Sequence, residues 1–189
     1  MAYPKWSKEF SEIAEWSLRV LDLKYRFLLC ESAAEIMSTR GIAACLEQTV
    51  VLEMLEAAIA KGYVLDETVG YEQQYPSADN TDRRRADLAF KDKNSAKFEY
   101  VEIKYYGYPD KHKIQGDITK LKSLPKGAQG WLFVYRVNKK MDSRSTLQEL
   151  LQQNFSDQMD IRPQREFPTR TMRHEEGVCE FCLCRIKHN

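Results

Sequence analysis

Histidine is scarce, with three in 189 residues, and the motifs of several catalytic classes are missing. There is no Ser/His/Asp spacing, no glycine-rich phosphate loop and no H-x-E…C-x-x-C signature, which removes triad hydrolases, P-loop enzymes and zinc deaminases from consideration. No apolar run approaches the length of a signal-peptide core or a membrane span. The expectation is therefore a cytoplasmic protein with no membrane partner. The five cysteines do not make a disulfide framework, since Cys30 and Cys45 fall within helical patterns and Cys179, Cys182 and Cys184 crowd the C-terminal end. Cys179-x-x-Cys182-x-Cys184, with His174 and His188 nearby, lacks the second ligand pair of a zinc ribbon, and buried cysteines of a terminal strand are the better reading. Low-complexity tracts, internal repeats and clear linkers are also missing, so residues 1–189 read as a single domain.

What is present is a globular balance of 43% hydrophobic and 30% charged residues, enough to build a core without staples. The net charge of +1 hides an asymmetry. Residues 1–80 carry 7 Lys/Arg against 13 Asp/Glu, and residues 81–189 carry 22 against 15. A cationic second half suits a phosphate-tracking surface but does not by itself establish one.

From Trp6 to about Met37, apolar residues recur at steps of three and four, which predicts an N-terminal helical segment over 5–40. A second helix is expected from Ile42 to Ala60, stopped by Lys61-Gly62. Tyr63 to Tyr75 reads as a strand closed by Pro76. Residues 84–91 and 97–106 read as a hairpin about Asp92-Lys93-Asn94-Ser95. A short helix over 113–124 precedes the β-prone run 131–137, and a C-terminal extension over 143–189 holds a helix at 145–155 and a strand at 178–186. The order over 42–137 is α-β-β-β-α-β, an α/β core with a mixed central sheet flanked by helices.

If the hairpin turns about Asn94-Ser95, residues whose numbers sum to 189 face one another, and Asp87 lies opposite Glu102. Leu88, Phe90, Val101 and Ile103 then share one face, and Asp87, Glu102 and Lys104 share the other. Like charges at cross-strand spacing destabilise the pair. Two acids beside a lysine form an oxygen-ligand set for a hard divalent cation such as Mg²⁺, which keeps waters or substrate phosphate in its remaining positions. On the preceding helix, at about 100° per residue, Glu47 shares the apolar stripe of Val51, Met54, Leu55 and Ala58, while Glu53 and Glu56 point away and are expected to be solvated. A carboxylate on that stripe is costly unless paired or coordinated.

The run Arg85-Ala86-Asp87-Leu88, followed after a short hairpin by Val101-Glu102-Ile103-Lys104 and preceded by a helix bearing Glu47, resembles the PD-(D/E)xK nuclease superfamily, with its restriction-endonuclease-like αβββαβ core. Asp117-Ile118-Thr119-Lys120-Leu121 falls where that superfamily often carries a D-x-x-K-L run. Ala86 stands in place of the proline that gives the superfamily its name. The resemblance implies that the catalytic set is Glu47, Asp87, Glu102 and Lys104. Mg²⁺, or Mn²⁺ in its place, would lie among Asp87, Glu102, Ile103 and Glu47, and Lys104 would orient or activate the attacking water. It implies a DNA endonuclease of a restriction, defence or mobile-element system, acting as a homodimer or as a subunit of a nuclease complex.

Two other classes remain open: a non-cleaving nucleic-acid-binding or assembly module of the same fold, and an RNase or nuclease toxin. Arg83, Arg84 and Arg85 either contact a phosphate backbone or form a solvated approach to the strand. Lys113 and Lys120 are candidates for the same contact. Tyr100, Tyr105, Tyr106 and Tyr108 either stack on bases or pack in core and rim, and packing is the commoner use.

Overall fold

The computed structural model describes residues 5–27, 42, 45–76, 84–91, 97–107, 111–139, 145–170 and 176–188. The calls on Arg83, His174, Cys30, Tyr108, the 28–40 part of the N-terminal helices and the 92–95 turn lie outside them.

Helix α1 (Lys5–Phe27) follows the periodicity of its apolar residues. Trp6, Phe10, Ile13, Ala14, Leu18 and Leu21 are all at most 2% exposed, and the larger of these side chains each contribute roughly 1.5–3 kcal/mol when fully buried. Helix α2 (Glu47–Ala60) ends where the Lys61-Gly62 pair predicts. Gly62 sits at φ 89, its N–H donates to the Ile59 carbonyl at 2.9 Å, and the Tyr63 N–H donates to Ala58 at 3.1 Å. This is a Schellman stop, which requires the left-handed conformation glycine adopts without penalty.

The strands are β1 (Val69–Gln74), β2 (Arg85–Phe90) and β3 (Glu99–Tyr105), then, after helix α3 (Lys111–Lys122), β4 (Gln129–Lys139). Helix α4 (Leu147–Phe155) opens with a Thr146/Glu149 capping box, and β5 (Met159–Ile161), β6 (Arg165–Arg170) and β7 (Glu176–Ile186) complete the chain. The order α-β-β-β-α-β is thus present in α2 to β4. Among the described residues the strands form one mixed sheet in the order β1-β2-β3-β4-β7-β5, with β6 also on β7. β3 and β4 are parallel across α3, and every other pairing is antiparallel.

Two expectations need correction. The predicted strand Tyr63–Tyr75 is shorter, because residues 64–68 fold into a turn in which Asp66 has φ 64 and Thr68 Oγ1 accepts from the Val64 N–H at 2.7 Å. The C-terminal region holds two further strands, β5 and β6, whose polar sequences suit edge positions along β7.

One core cluster joins α1 and α2 to Leu88, Phe90, Val101, Ile103, Trp131 and Phe133. The other joins Ile114, Ile118 and Leu121 of α3 and Leu147 and Leu151 of α4 to Ala89, Tyr100, Leu132 and Val134. The sheet is therefore covered by helices on both faces. α1 is integral to this packing: Trp6 stacks on Phe90 with centroids 5.6 Å apart and meets Trp131 edge-on at 5.2 Å. α3 presses close to β4 at Gly130, where a Cβ would lie 2.8 Å from that of Leu121. That approach seats α3 over β3.

Candidate active site

The hairpin register is the one expected from numbers summing to 189, with Leu88 opposite Val101, Ala89 opposite Tyr100 and Phe90 opposite Glu99. The ladder stops at Leu88–Val101. One residue further on, the Asp87 carboxylate takes over the role of the next main-chain acceptor, and its Oδ2 receives the Ile103 N–H at 2.7 Å. On the other side of β2, Tyr71–Leu88 and Gln73–Ala86 are paired while Glu72 between them is not. Glu72 adopts φ 44, a conformation that costs a non-glycine residue of order 1–3 kcal/mol. The sheet is thus irregular on both flanks of Asp87.

Glu102 projects from β3 on the face covered by α3 and is 5% exposed. Lys120 of α3 contacts its Oε1 at 2.6 Å and also donates to the Arg85 carbonyl at 2.9 Å. The Tyr75 hydroxyl donates to the same carboxylate oxygen. Lys104 lies on the same face, 3.8 Å from Asp117 of α3, and its ammonium donates to Glu47 Oε2 at 2.9 Å. The other oxygen of Glu47 accepts the Tyr105 N–H at 3.0 Å. Glu47 is the first residue of α2, a helix that packs on the opposite face of the sheet, and it reaches the site around the end of β3. Three elements therefore meet there: the opened β2–β3 pair, the start of α2 and the middle of α3.

Electrostatics set this cleft apart. Burial, and then the charge of Asp87, push the Glu102 carboxyl up to about 7 against the pull of Lys120 and Tyr75. Burial raises Asp87 as well, offset in part by the Ile103 N–H and the two lysines. Asp117 is raised chiefly by burial, and its buried Oδ2 has no hydrogen-bond donor. For Lys104, burial pulls downward, but the Glu47 hydrogen bond and the charges of Asp117, Glu47 and Asp87 outweigh it and leave the pKa above its ordinary value. The lysine is an ammonium here, suited to orienting and stabilising charge and not to removing a proton.

The chain was compared with known families and proteins. No family model, curated protein or solved structure matches it.

Arg84 and Arg85 are exposed at the start of β2. Arg84 lies over the Tyr75 ring at 6.0 Å and Arg85 pairs with Glu72 at 3.3 Å. Lys113 is exposed on α3, whereas Lys120 points inward to Glu102. Tyr100 is packed against Tyr75 and Tyr105 against Tyr135. Glu56 is exposed, as expected, but Glu53 is not. It is 7% exposed and bonded to Lys24 at 2.6 Å, because α1 covers the side of α2 that a one-sided reading leaves to solvent. Cys179, Cys182 and Cys184 are free thiols buried in β7, with Cys179 on one face and the other two on the opposite one.

Two members of the site were not assigned from sequence. Asp117 shares a helix flank with Lys120 three residues on, so the D-x-x-K-L spacing that brings one into the cleft brings the other. Tyr75 follows the end of β1 and carried no local signal.

For a divalent cation, the donor set is chemically consistent. Among the described residues no group of three or more His, Cys, Asp or Glu forms a ready cage, and Mg²⁺ typically takes one or two carboxylates and keeps waters in its other positions, a number that Asp87 and Glu102 could supply. The mutual repulsion of Asp87 and Glu102, and the undonated oxygen of Asp117, are what a nearby cation would relieve.

Proposed function

We propose that this protein is a Mg²⁺-dependent phosphodiesterase of restriction-endonuclease-like fold, cutting nucleic acid, DNA in preference to RNA. One observation carries the reading: the β2–β3 ladder opens at Asp87, whose carboxylate takes the Ile103 N–H and repels the buried Glu102, with the Lys104 ammonium on the same face as Glu102. Asp87, Glu102 and the Ile103 carbonyl would hold the ion, and Mn²⁺ would serve in its place. The ion supplies Lewis-acid neutralisation of the charge that develops on phosphate oxygens. Lys104 orients the attacking water and stabilises the same charge, and Glu47, with one oxygen on Lys104 and the other on the Tyr105 N–H, fixes where that ammonium points. Asp117 flanks it from α3. Lys120 and Tyr75 hold Glu102 in place. The protein would work in the cytoplasm as a homodimer or within a nuclease complex, since one such site cuts one strand, in a restriction, defence or mobile-element setting.

A second reading has its own observation. Glu102 pairs with Lys120 and Glu47 with Lys104, side-chain ion pairs that a non-cleaving module of the same fold would retain. Incubation with DNA and RNA in Mg²⁺, Mn²⁺ or EDTA separates the two. The nuclease reading expects metal-dependent cleavage, abolished in Asp87→Ala and Lys104→Ala proteins that keep the wild-type melting profile. Lack of cleavage under every condition makes the protein a binder, and cleavage confined to RNA assigns it to ribonuclease or toxin chemistry.

A further inference from the structure

We propose that Lys120 is an internal counter-ion of the two acids that would hold the metal, and that a divalent cation takes Glu102 only by displacing it. The proposal deepens the nuclease reading and rests on it, since it concerns how readily an ion enters the same cleft.

Two lysines serve the four carboxyl groups there, and they serve them differently. Lys104 lies between Glu47, at 2.9 Å, and Asp117, at 3.8 Å. Lys120 lies on the side of the candidate ligands. Its ammonium contacts Glu102 Oε1 at 2.6 Å, donates to the Arg85 carbonyl at 2.9 Å and sits 5.2 Å from the centre of the Tyr75 ring. Burial raises the Asp87 carboxyl, and against it pull the Ile103 N–H and then the charge of Lys120, ahead of that of Lys104. Lys120 is thus the cation that Asp87 and Glu102 share.

A carboxylate oxygen and a main-chain carbonyl are also the hard ligands that a divalent cation takes, so the ammonium stands where such an ion would find partners. An ammonium and a divalent ion on one carboxylate would lie within a few ångströms of each other, in a partly buried site that screens them far less than water does. They compete for Glu102.

Lys120 is able to yield. Its side chain is 25% exposed, against 18% for Lys104, and it ends in a point charge on a flexible stem, with no bidentate grip. One of its two oxygen partners is an uncharged carbonyl. The helix beneath it need not move, because Ile114, Ile118 and Leu121 of α3 are fully buried. Tyr75 donates to Glu102 independently, so the carboxylate stays in place when the lysine leaves. Metal affinity is therefore set by the exchange of one cation for another, and not by the two acids alone.

The test uses Mn²⁺ as the probe, with the free ion followed by electron paramagnetic resonance, on full-length wild-type, Lys120→Met and Lys122→Met proteins. Lys120→Met is expected to bind Mn²⁺ about tenfold more tightly, a coupling of ordinary size. Lys122→Met loses an ammonium bonded to Gln158 and not to Glu102, and should stay within about twofold of wild type, as a screened charge does. Removing charge beside Glu102 would favour the ion even without an exchange, so crystals of the wild type grown with Mn²⁺ decide the displacement. They are expected to hold the ion on Asp87 and Glu102, with Lys120 Nζ beyond hydrogen-bond range of Glu102, and they serve alone if Lys120→Met melts early. An ion seated on the acids with Lys120 still on Oε1, equal or weaker affinity in Lys120→Met, or an equal gain in Lys122→Met overturns the proposal and leaves the metal site standing. Lack of Mn²⁺ binding by wild type and Lys120→Met alike removes the metal site, and the proposal falls with it.

Discussion

Glu102 and Glu180 are equally buried, 5% exposed each, and each meets a cation, Lys120 at 2.6 Å and Arg136 at 2.5 Å. Each also has another acid on the neighbouring strand, Asp87 acting on Glu102 through its charge and Glu166 opposite Glu180 in the β6–β7 register. The difference lies in what stands between the acids. The Gln164 side-chain amide donates to both Glu180, at 2.8 Å, and Glu166, at 3.2 Å, and Asn138 adds a weaker contact to Glu180 at 3.4 Å. No side-chain donor spans Asp87 and Glu102 among the described residues. A buried carboxylate with a cation is thus ordinary architecture, whereas Asp87 and Glu102 have no shared hydrogen-bond donor among the described residues and lie together only in the field of Lys120.

The contrast can be broken at its structural end first. Glu180→Ala leaves Arg136 buried without its counter-ion and should cost about 3–5 kcal/mol by chemical denaturation, with cleavage by the folded fraction unaffected. A loss below about 1 kcal/mol would show that the pair does not hold β4, β7 and α4 together.

A smaller effect is expected at the cleft, with opposite sign. Glu102 has a folded pKa of about 7 against an ordinary 4.5, so the folded state binds more protons across that interval and stability falls as pH rises through it. Below 4.5 the contribution is fully present, and above about 7 it is lost. Asp87→Asn removes the charge that adds to this rise. In metal-free buffer its stability relative to wild type should grow with pH over that window by on the order of 1 kcal/mol, roughly 2–4 °C in Tm, while its cleavage disappears. A difference that is flat with pH would mean the two acids do not repel. The smallest effect belongs to Glu53→Ala, whose partner Lys24 is 45% exposed on its side chain. A loss of roughly 1 kcal/mol or less with full cleavage is expected, whereas Glu47→Ala should lower cleavage by freeing Lys104. Should Glu53→Ala prove the more damaging to cleavage, the assignment of the helix acid is reversed.

The hairpin was legible because alternation of Leu88, Phe90, Val101 and Ile103 against Asp87, Glu102 and Lys104 admits one register, and a slip by one would expose every apolar residue. The end of α2 was legible for a local reason too, the glycine after a lysine. Glu53 was not, because periodicity reports which face is apolar and not whether a second helix covers the rest. β5 and β6 escaped notice since strands on an edge need little apolar sequence, and Asp66 and Thr68 turned the chain by local hydrogen bonds that a strand pattern does not reveal. Within the cleft, the residues on β2 and β3 followed from pairing rules, while Tyr75 and Asp117 depend on how α3 lies across the sheet.

Arg162 grips the Ser7 carbonyl at 3.0 Å and its hydroxyl at 2.7 Å, and Thr169 bonds to Asp22, so the first helix is fastened by segments about 150 positions later in the chain. Every catalytic candidate lies between these two clasps. The aromatic stripe of α1 is covered earlier, by Phe90 of β2 and Trp131 of β4, so the clasps are the last contacts of α1 to close in chain order, and such distant closure slows folding. Under the proposed function, the cleft between the clasps would be held in its working arrangement only after these last segments have folded.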